Sequence, residues 1–145
     1  MVSDYKTRIE FRNGQITIGC KIYGIYDTNY RDIKLVLDTG ATISGISENL
    51  AIELGYDLLQ SGITQDFDTA GGTQPFSIIT VKRIDFAGSQ YRDHKILCNE
   101  HFDNMFIDGV IGLDILLNYN IDINFDGNFI EFYRRHKEID MTITP

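Results

Sequence analysis

Asp38 ends an apolar run, Leu35-Val36-Leu37, and is followed by Thr39, Gly40 and Ala41. Three aliphatic residues in succession fit a strand buried on both faces. An unpaired buried carboxylate costs several kcal/mol, so an acid at the end of such a strand needs a reason. Gly40 frees the backbone to turn sharply just after it. The stretch is therefore expected to hold a carboxylate inside the protein, at the end of a rigid element and beside a tight loop. Acid–base work is the chemistry a carboxylate can do there.

Other combinations of reactive residues fit less well. Asp122-Ile123-Asn124-Phe125-Asp126-Gly127 matches the first half of a calcium loop, but Tyr133 falls where a bidentate Glu is needed. His94, Cys98 and His101 lack a fourth ligand and the paired spacing of a zinc site. No Gly-x-Ser-x-Gly occurs, and neither Cys20 nor Cys98 opens a helix, so a serine or cysteine nucleophile has no support. Neither a metal nor another cofactor is expected.

The chain that must position Asp38 has 145 residues, enough for one domain with its own core. Hydrophobic content of 43% and charged content of 23% suit a globular protein. A net charge of −8 argues against nucleic acid and anionic membrane surfaces, which require a basic footprint. No apolar run approaches a membrane span and residues 1–10 do not read as a signal segment. Two cysteines are too few for a disulfide framework; buried thiols in a reducing compartment, the cytoplasm, are expected.

Strand signals dominate. Thr7–Phe11 and Ile16–Cys20 flank Arg12-Asn13-Gly14-Gln15, a two-residue hairpin turn that pairs Phe11 with Ile16 and Ile9 with Ile18 on one apolar face. Lys21–Ile25 extends the second strand, and Ile33–Leu37 delivers Asp38. Ser47 reads as a helix N-cap with Glu48 in the first turn, Leu50, Ala51 and Leu54 as the apolar stripe, and Gly55 as the stop. Thr64–Thr69 and Gln74–Val81 form strands joined by Ala70-Gly71-Gly72-Thr73, with Pro75 at a strand start or exposed edge. Lys82–Phe86 and Tyr91–Cys98 continue as strands around Gly88-Ser89. Val110-Ile111 is another buried strand, Gly112 a tight packing point, and Leu113–Asn118 a short helix.

Ile121, Ile123 and Phe125 then alternate into a hairpin with Asn128–Tyr133 that opposes Ile123 to Ile130 and Ile121 to Phe132. The same register sets Asp122 against Glu131, a like-charge pair with no compensation visible in the sequence. In the tail Ile139, Met141 and Ile143 alternate with polar residues, which suits a strand needing an outside partner or else a disordered end.

Two of these segments carry a family likeness. Leu35–Ile43 resembles the Asp-Thr-Gly-Ala active-site loop of retropepsin-like aspartic proteases. Val110-Ile111-Gly112-Leu113-Asp114-Ile115-Leu116 resembles the hydrophobic-hydrophobic-Gly-x-Asp-hydrophobic-Leu segment of retroelement and bacterial members, and the residues to Ile123 also run as those families do. The two motifs stand in family order over residues 7–133. The resemblance implies an all-β fold with one or two short helices: a closed barrel forming a single acid-protease lobe. It also implies one domain over 1–145, with 134–145 as a tail that could form a dimer-interface strand.

By the same resemblance, Asp38 is the catalytic acid, Thr39 bonds across a two-fold axis, and Gly40 and Ala41 complete a substrate-contacting loop. Ala70, Gly71, Gly72 and Thr73 look like the flap that covers substrate, although an ordinary hairpin turn is the simpler alternative. Phe76, the nearest aromatic, lies past the tip. Gly112 and Asp114 would support the catalytic loop from behind. Asp68-Thr69-Ala70 imitates the active-site triplet without its apolar strand or its glycine. A chain this short has no room for a second lobe, so the resemblance implies an aspartic endopeptidase that is a homodimer acting on an extended peptide. The rival is a non-proteolytic dimeric peptide-binding or assembly module on the same fold.

Overall fold

The computed structural model describes residues 2–26, 28–58, 64–69 and 72–136. The chain enters as strand β1 (Tyr5–Arg8), breaks at Ile9, and continues as β2 (Glu10–Arg12), which turns through Asn13-Gly14 into β3 (Gln15–Tyr23). Both turn residues have positive φ, 52° and 77°, the geometry that Asn-Gly hairpins favour. Phe11 pairs with Ile16 as the alternation predicts, but Ile9 does not pair with Ile18. The Ile9 N–H donates instead to the Asn128 carbonyl at 3.1 Å, and Ile18 stands opposite Leu35. Phe11 is 59% exposed, so the hairpin does not present one buried face.

Next come β4 (Tyr30–Leu37), β5 (Gly45–Ser47) and helix α1 (Glu48–Glu53). The Ser47 side chain caps α1 by accepting the Leu50 N–H at 3.1 Å, Leu50, Ala51 and Leu54 are buried, and Gly55 follows in the left-handed region. The chain then forms β6 (Thr64–Thr69), β7 (Gly72–Phe86) and β8 (Ser89–Asn99). The two strands expected over 74–86 are one, and pairing of β7 with β8 begins at Ser77. Pro75 thus lies where the ladder runs to β6 alone, which tolerates a residue with no N–H. Helix α2 (Glu100–Asn104), β9 (Gly109–Ile111), helix α3 (Leu113–Leu116), β10 (Tyr119–Asn124) and β11 (Phe129–Arg134) complete the order.

Strands β3, β4, β9, β5, β8 and β7 neighbour one another in that sequence, and Lys21–Asp85 and Ile22–Ile84 pairing of β3 with β7 closes the ring. The result is a six-stranded barrel; the closed barrel, mostly β with short helices, is what the family resemblance implies. Ile18, Ile22, Ile46, Val81, Ile96 and Ile111 are almost wholly buried in the core. Each such side chain contributes about 1.5–3 kcal/mol by leaving water.

A second sheet, β1–β11–β10, packs alongside through Phe132, whose ring meets Phe86 and Tyr119 edge-on. Its hairpin has the register the alternation predicts, including Asp122 opposite Glu131. Lys6 stands in register with Glu131 from the other side, its ammonium lying over the Phe129 ring at 3.9 Å, while Glu131 accepts the Tyr133 hydroxyl at 3.1 Å. Both cysteines are free and buried; burial, with Glu48 and Asp103 nearby, pushes the Cys98 thiol up to about 12. Among the described residues no helix is long and apolar enough to cross a membrane. The alternating tail, residues 138–145, lies outside the described residues.

Candidate active site

Asp38 opens the loop that links β4 to β5, and β9 lies between those two strands. It runs parallel to β4, with Leu37 opposite Ile111, and antiparallel to β5, with Gly45 opposite Val110. Both arms of the loop are therefore hydrogen-bonded to one central strand. The apolar run Leu35-Val36-Leu37 follows from this, because a strand flanked on both sides inside a barrel meets little water.

At the mouth of the barrel, the Asp38 N–H donates to the Ile111 carbonyl at 3.0 Å, and its carbonyl accepts the Ala41 N–H at 3.2 Å. Oδ1 accepts the Gly40 N–H at 2.9 Å. Among the described residues the other carboxylate oxygen has no hydrogen-bond partner. Asp38 is half-buried, and Thr39 and Gly40 are exposed, so the acid is not sunk in the interior as expected from its strand. The strand ends at the barrel's rim, and the carboxylate keeps enough water to avoid the full cost of desolvation.

Gly40 also differs from its expected role. Its φ is not in the left-handed region; a Cβ there would stand 3.2 Å from Asp38 Oδ1. Glycine is favoured by its close approach to the carboxylate, not by a left-handed backbone in the turn.

Behind the loop, Gly112 and Asp114 are packed against its far half. A Cβ on Gly112 would lie 2.6 Å from the Ala41 carbonyl oxygen and 3.0 Å from the Ile43 carbonyl carbon. The Leu113 N–H donates to that Ala41 oxygen at 2.8 Å, and the Asp114 N–H to the Thr42 carbonyl at 3.1 Å. Asp114 Oδ1 accepts both the N–H and the hydroxyl of buried Ser44, at 2.9 and 2.7 Å, while Ser44 Oγ accepts the Gly112 N–H at 2.9 Å. The second oxygen, Oδ2, is 2.8 Å from His94 Nε2. Ser44 and His94 had no signal of their own in the sequence. One is a serine in a loop, and the other stands in the sequence only near Cys98 and His101, an incomplete metal-ligand set.

Of the hairpin residues, Gly72 and Thr73 open β7 opposite Thr69 and Asp68, and Ala70 and Gly71 lie outside the described residues. Phe76 is buried beside Phe102, with ring centroids 6.4 Å apart, so it serves the core and not the hairpin tip. Among the described residues no three His, Cys, Asp or Glu side chains gather as a metal site. His94 is engaged by Asp114, and Asn124 Oδ1 accepts the Gly127 N–H at 2.8 Å to build the turn that imitates half a calcium loop.

Comparison with known proteins places this architecture. Residues 26–118 match the sequence model of the family described as "gag-polyprotein putative aspartyl protease". No curated protein sequence matches the chain. Among solved structures it is similar to a retropepsin-like aspartic protease from Rickettsia conorii, with 22% identity, a TM-score of 0.66, and coverage of 88% of this chain and 90% of that one. The retroviral protease-like domain of Ddi1 from Leishmania major matches at 19% identity and a TM-score of 0.52, over 81% and 93% of the two chains. The EIAV protease, solved with an inhibitor, matches at 18% identity and 0.53, over 75% and 92%. At these identities the solved structures speak for the fold; the matched span of sequence, which includes Asp38, Gly112 and Asp114, speaks for descent. The chain belongs to the gag-polyprotein aspartyl protease family and has the retropepsin-like fold.

Proposed function

We propose that this chain is an aspartic endopeptidase that acts as a homodimer, one Asp38 from each subunit forming the catalytic pair. The observation that carries the proposal is the state of the Asp38 carboxylate, with one oxygen tethered by Gly40 and the other without a partner among the described residues, at an exposed loop. A two-fold axis passing beside this loop would bring two such carboxylates together from one gene. Like charges in contact cannot both ionise, so the pair would hold one proton between them. The ionised member would act as general base on a water molecule. The protonated member would donate to the scissile carbonyl oxygen as the tetrahedral intermediate forms.

Thr39 and Gly40, both exposed beside the acid, are proposed to meet the second subunit and the substrate, with Ala41 completing the loop. The ribbon of β6 and β7, together with the connecting residues Ala70, Gly71, Gly72 and Thr73, is proposed to cover an extended peptide that adds main-chain hydrogen bonds like a further strand. The net charge of −8 favours neither nucleic acid nor an anionic membrane as partner. Two buried free thiols suit a reducing compartment, and the cytoplasm is the proposed location.

Incubating the protein with an unfolded polypeptide at mildly acidic pH tests the reading. Cleavage by the natural chain and none by a folded Asp38→Asn variant is the expected result. Equal cleavage by both would remove Asp38 from the chemistry, and a folded dimer that cleaves nothing would favour the binding-module alternative.

A further inference from the structure

His94 is far from Asp38 in sequence and makes no contact with it, yet it lies at the end of an unbroken chain of hydrogen bonds leading to the Asp38 loop. Its Nε2 is 2.8 Å from Asp114 Oδ2, and a carboxylate only accepts, so the imidazole donates. The other oxygen of the same carboxylate takes both donors of Ser44, the residue that closes the loop. Ser44 Oγ in turn receives the Gly112 N–H, and the backbone after Gly112 holds the Ala41 and Thr42 carbonyls. His94 is mostly buried, with 23% of its side chain exposed, and its ring meets Tyr91 edge-on.

The carboxylate of Asp114 can rotate about its last bond unless both oxygens are engaged. Ser44 engages only one. Without His94, Oδ2 would seek water, and the Oδ1 contacts that fix Ser44 would loosen with it.

We propose that His94 is a positioning residue for the Asp38 loop, locking the Asp114 carboxylate in the orientation that holds Ser44 and, through it, the far half of the loop. The inference rests on the protease reading for its kinetic consequence but not for its structural one. Its action is at a distance, so it concerns the geometry of the loop and not the affinity for peptide.

The experiment compares His94→Phe, which keeps the ring beside Tyr91 and deletes the donor, with His94→Gln, which restores an N–H near the same place. In His94→Phe, kcat should fall on the order of 10–100-fold with KM little changed, as expected for a misplaced reacting group. His94→Gln should recover most of it. Hydrogen exchange over residues 38–47 should quicken in His94→Phe, not elsewhere in the barrel, and return towards normal in His94→Gln. Unchanged kcat and unchanged local exchange in His94→Phe would overturn the proposal, as would exchange raised throughout the barrel, which indicates a stability role alone. If the natural chain cleaves nothing, the protease reading fails while the exchange comparison still decides the role of His94.

Discussion

Asp38 and Asp114 sit on opposite sides of one loop, and their carboxylates are treated in opposite ways. Asp114 is engaged through both oxygens: both donors of Ser44 on one, His94 on the other, with 17% of its side chain exposed. Among the described residues Asp38 accepts a single side-chain hydrogen bond, from its own loop, and it stands at the rim beside exposed Thr39 and Gly40. A carboxylate that accepts three hydrogen bonds is committed to holding structure and has little left to offer a ligand. One whose second oxygen is open can take a proton, a water or a partner carboxylate. On the proposed reading the two acids divide the work, the rear one fixing the place where the front one stands.

Substitutions can break this division in order of effect. Asp38→Asn should lower cleavage by about 10²–10⁴-fold, the range for removing an acid–base group, with little change in Tm. Asp114→Ala should do the reverse in kind. It strips the acceptor from buried Ser44 and should cost about 1–3 kcal/mol, seen in chemical denaturation, with activity falling as a consequence. Gly112→Ala should cost about 1–3 kcal/mol as well, because the neighbour at 2.6 Å is a backbone carbonyl that cannot swing away. For a chain of this size that is a Tm loss of about 2–4 °C per kcal/mol.

Gly40→Ala sharpens the contrast most gently. The added methyl meets only the Asp38 carboxylate at 3.2 Å, so stability should change by less than about 1 kcal/mol. The displaced oxygen should cost activity about tenfold, read as kcat at constant Tm.

How much of this was legible beforehand depends on whether the signal was local. The strand before Asp38 announces itself as three aliphatic residues, and the β10–β11 register follows from alternation on both sides of a turn. Both are properties of neighbouring residues. Ile9 misleads for the same reason: the alternation Thr7-Arg8-Ile9-Glu10-Phe11 is unbroken, yet the chain passes from one sheet to another there, a choice made by distant Asn128. Helix α2 is hidden because Glu-His-Phe-Asp-Asn carries no apolar stripe and depends on the Asn99 side chain, which accepts the His101 N–H. The candidate site divides likewise. Asp38, Gly112 and Asp114 are legible as motifs, whereas Ser44 and His94 acquire their roles only when β8 is brought beside α3. Even Gly40 has a different reason for being glycine than its place in a turn suggested: a Cβ there would crowd the Asp38 carboxylate.

The sharing of one site by two chains is the central claim, and a mixing titration tests it directly. Natural chain and Asp38→Asn chain are refolded together at equal amounts, and cleavage is measured at constant total protein. If each site needs an acid from both subunits, only pairs of natural chains cut, and the rate falls to about one quarter. A fall to one half, in proportion to the natural chain present, would mean that each Asp38 works alone and would contradict the account.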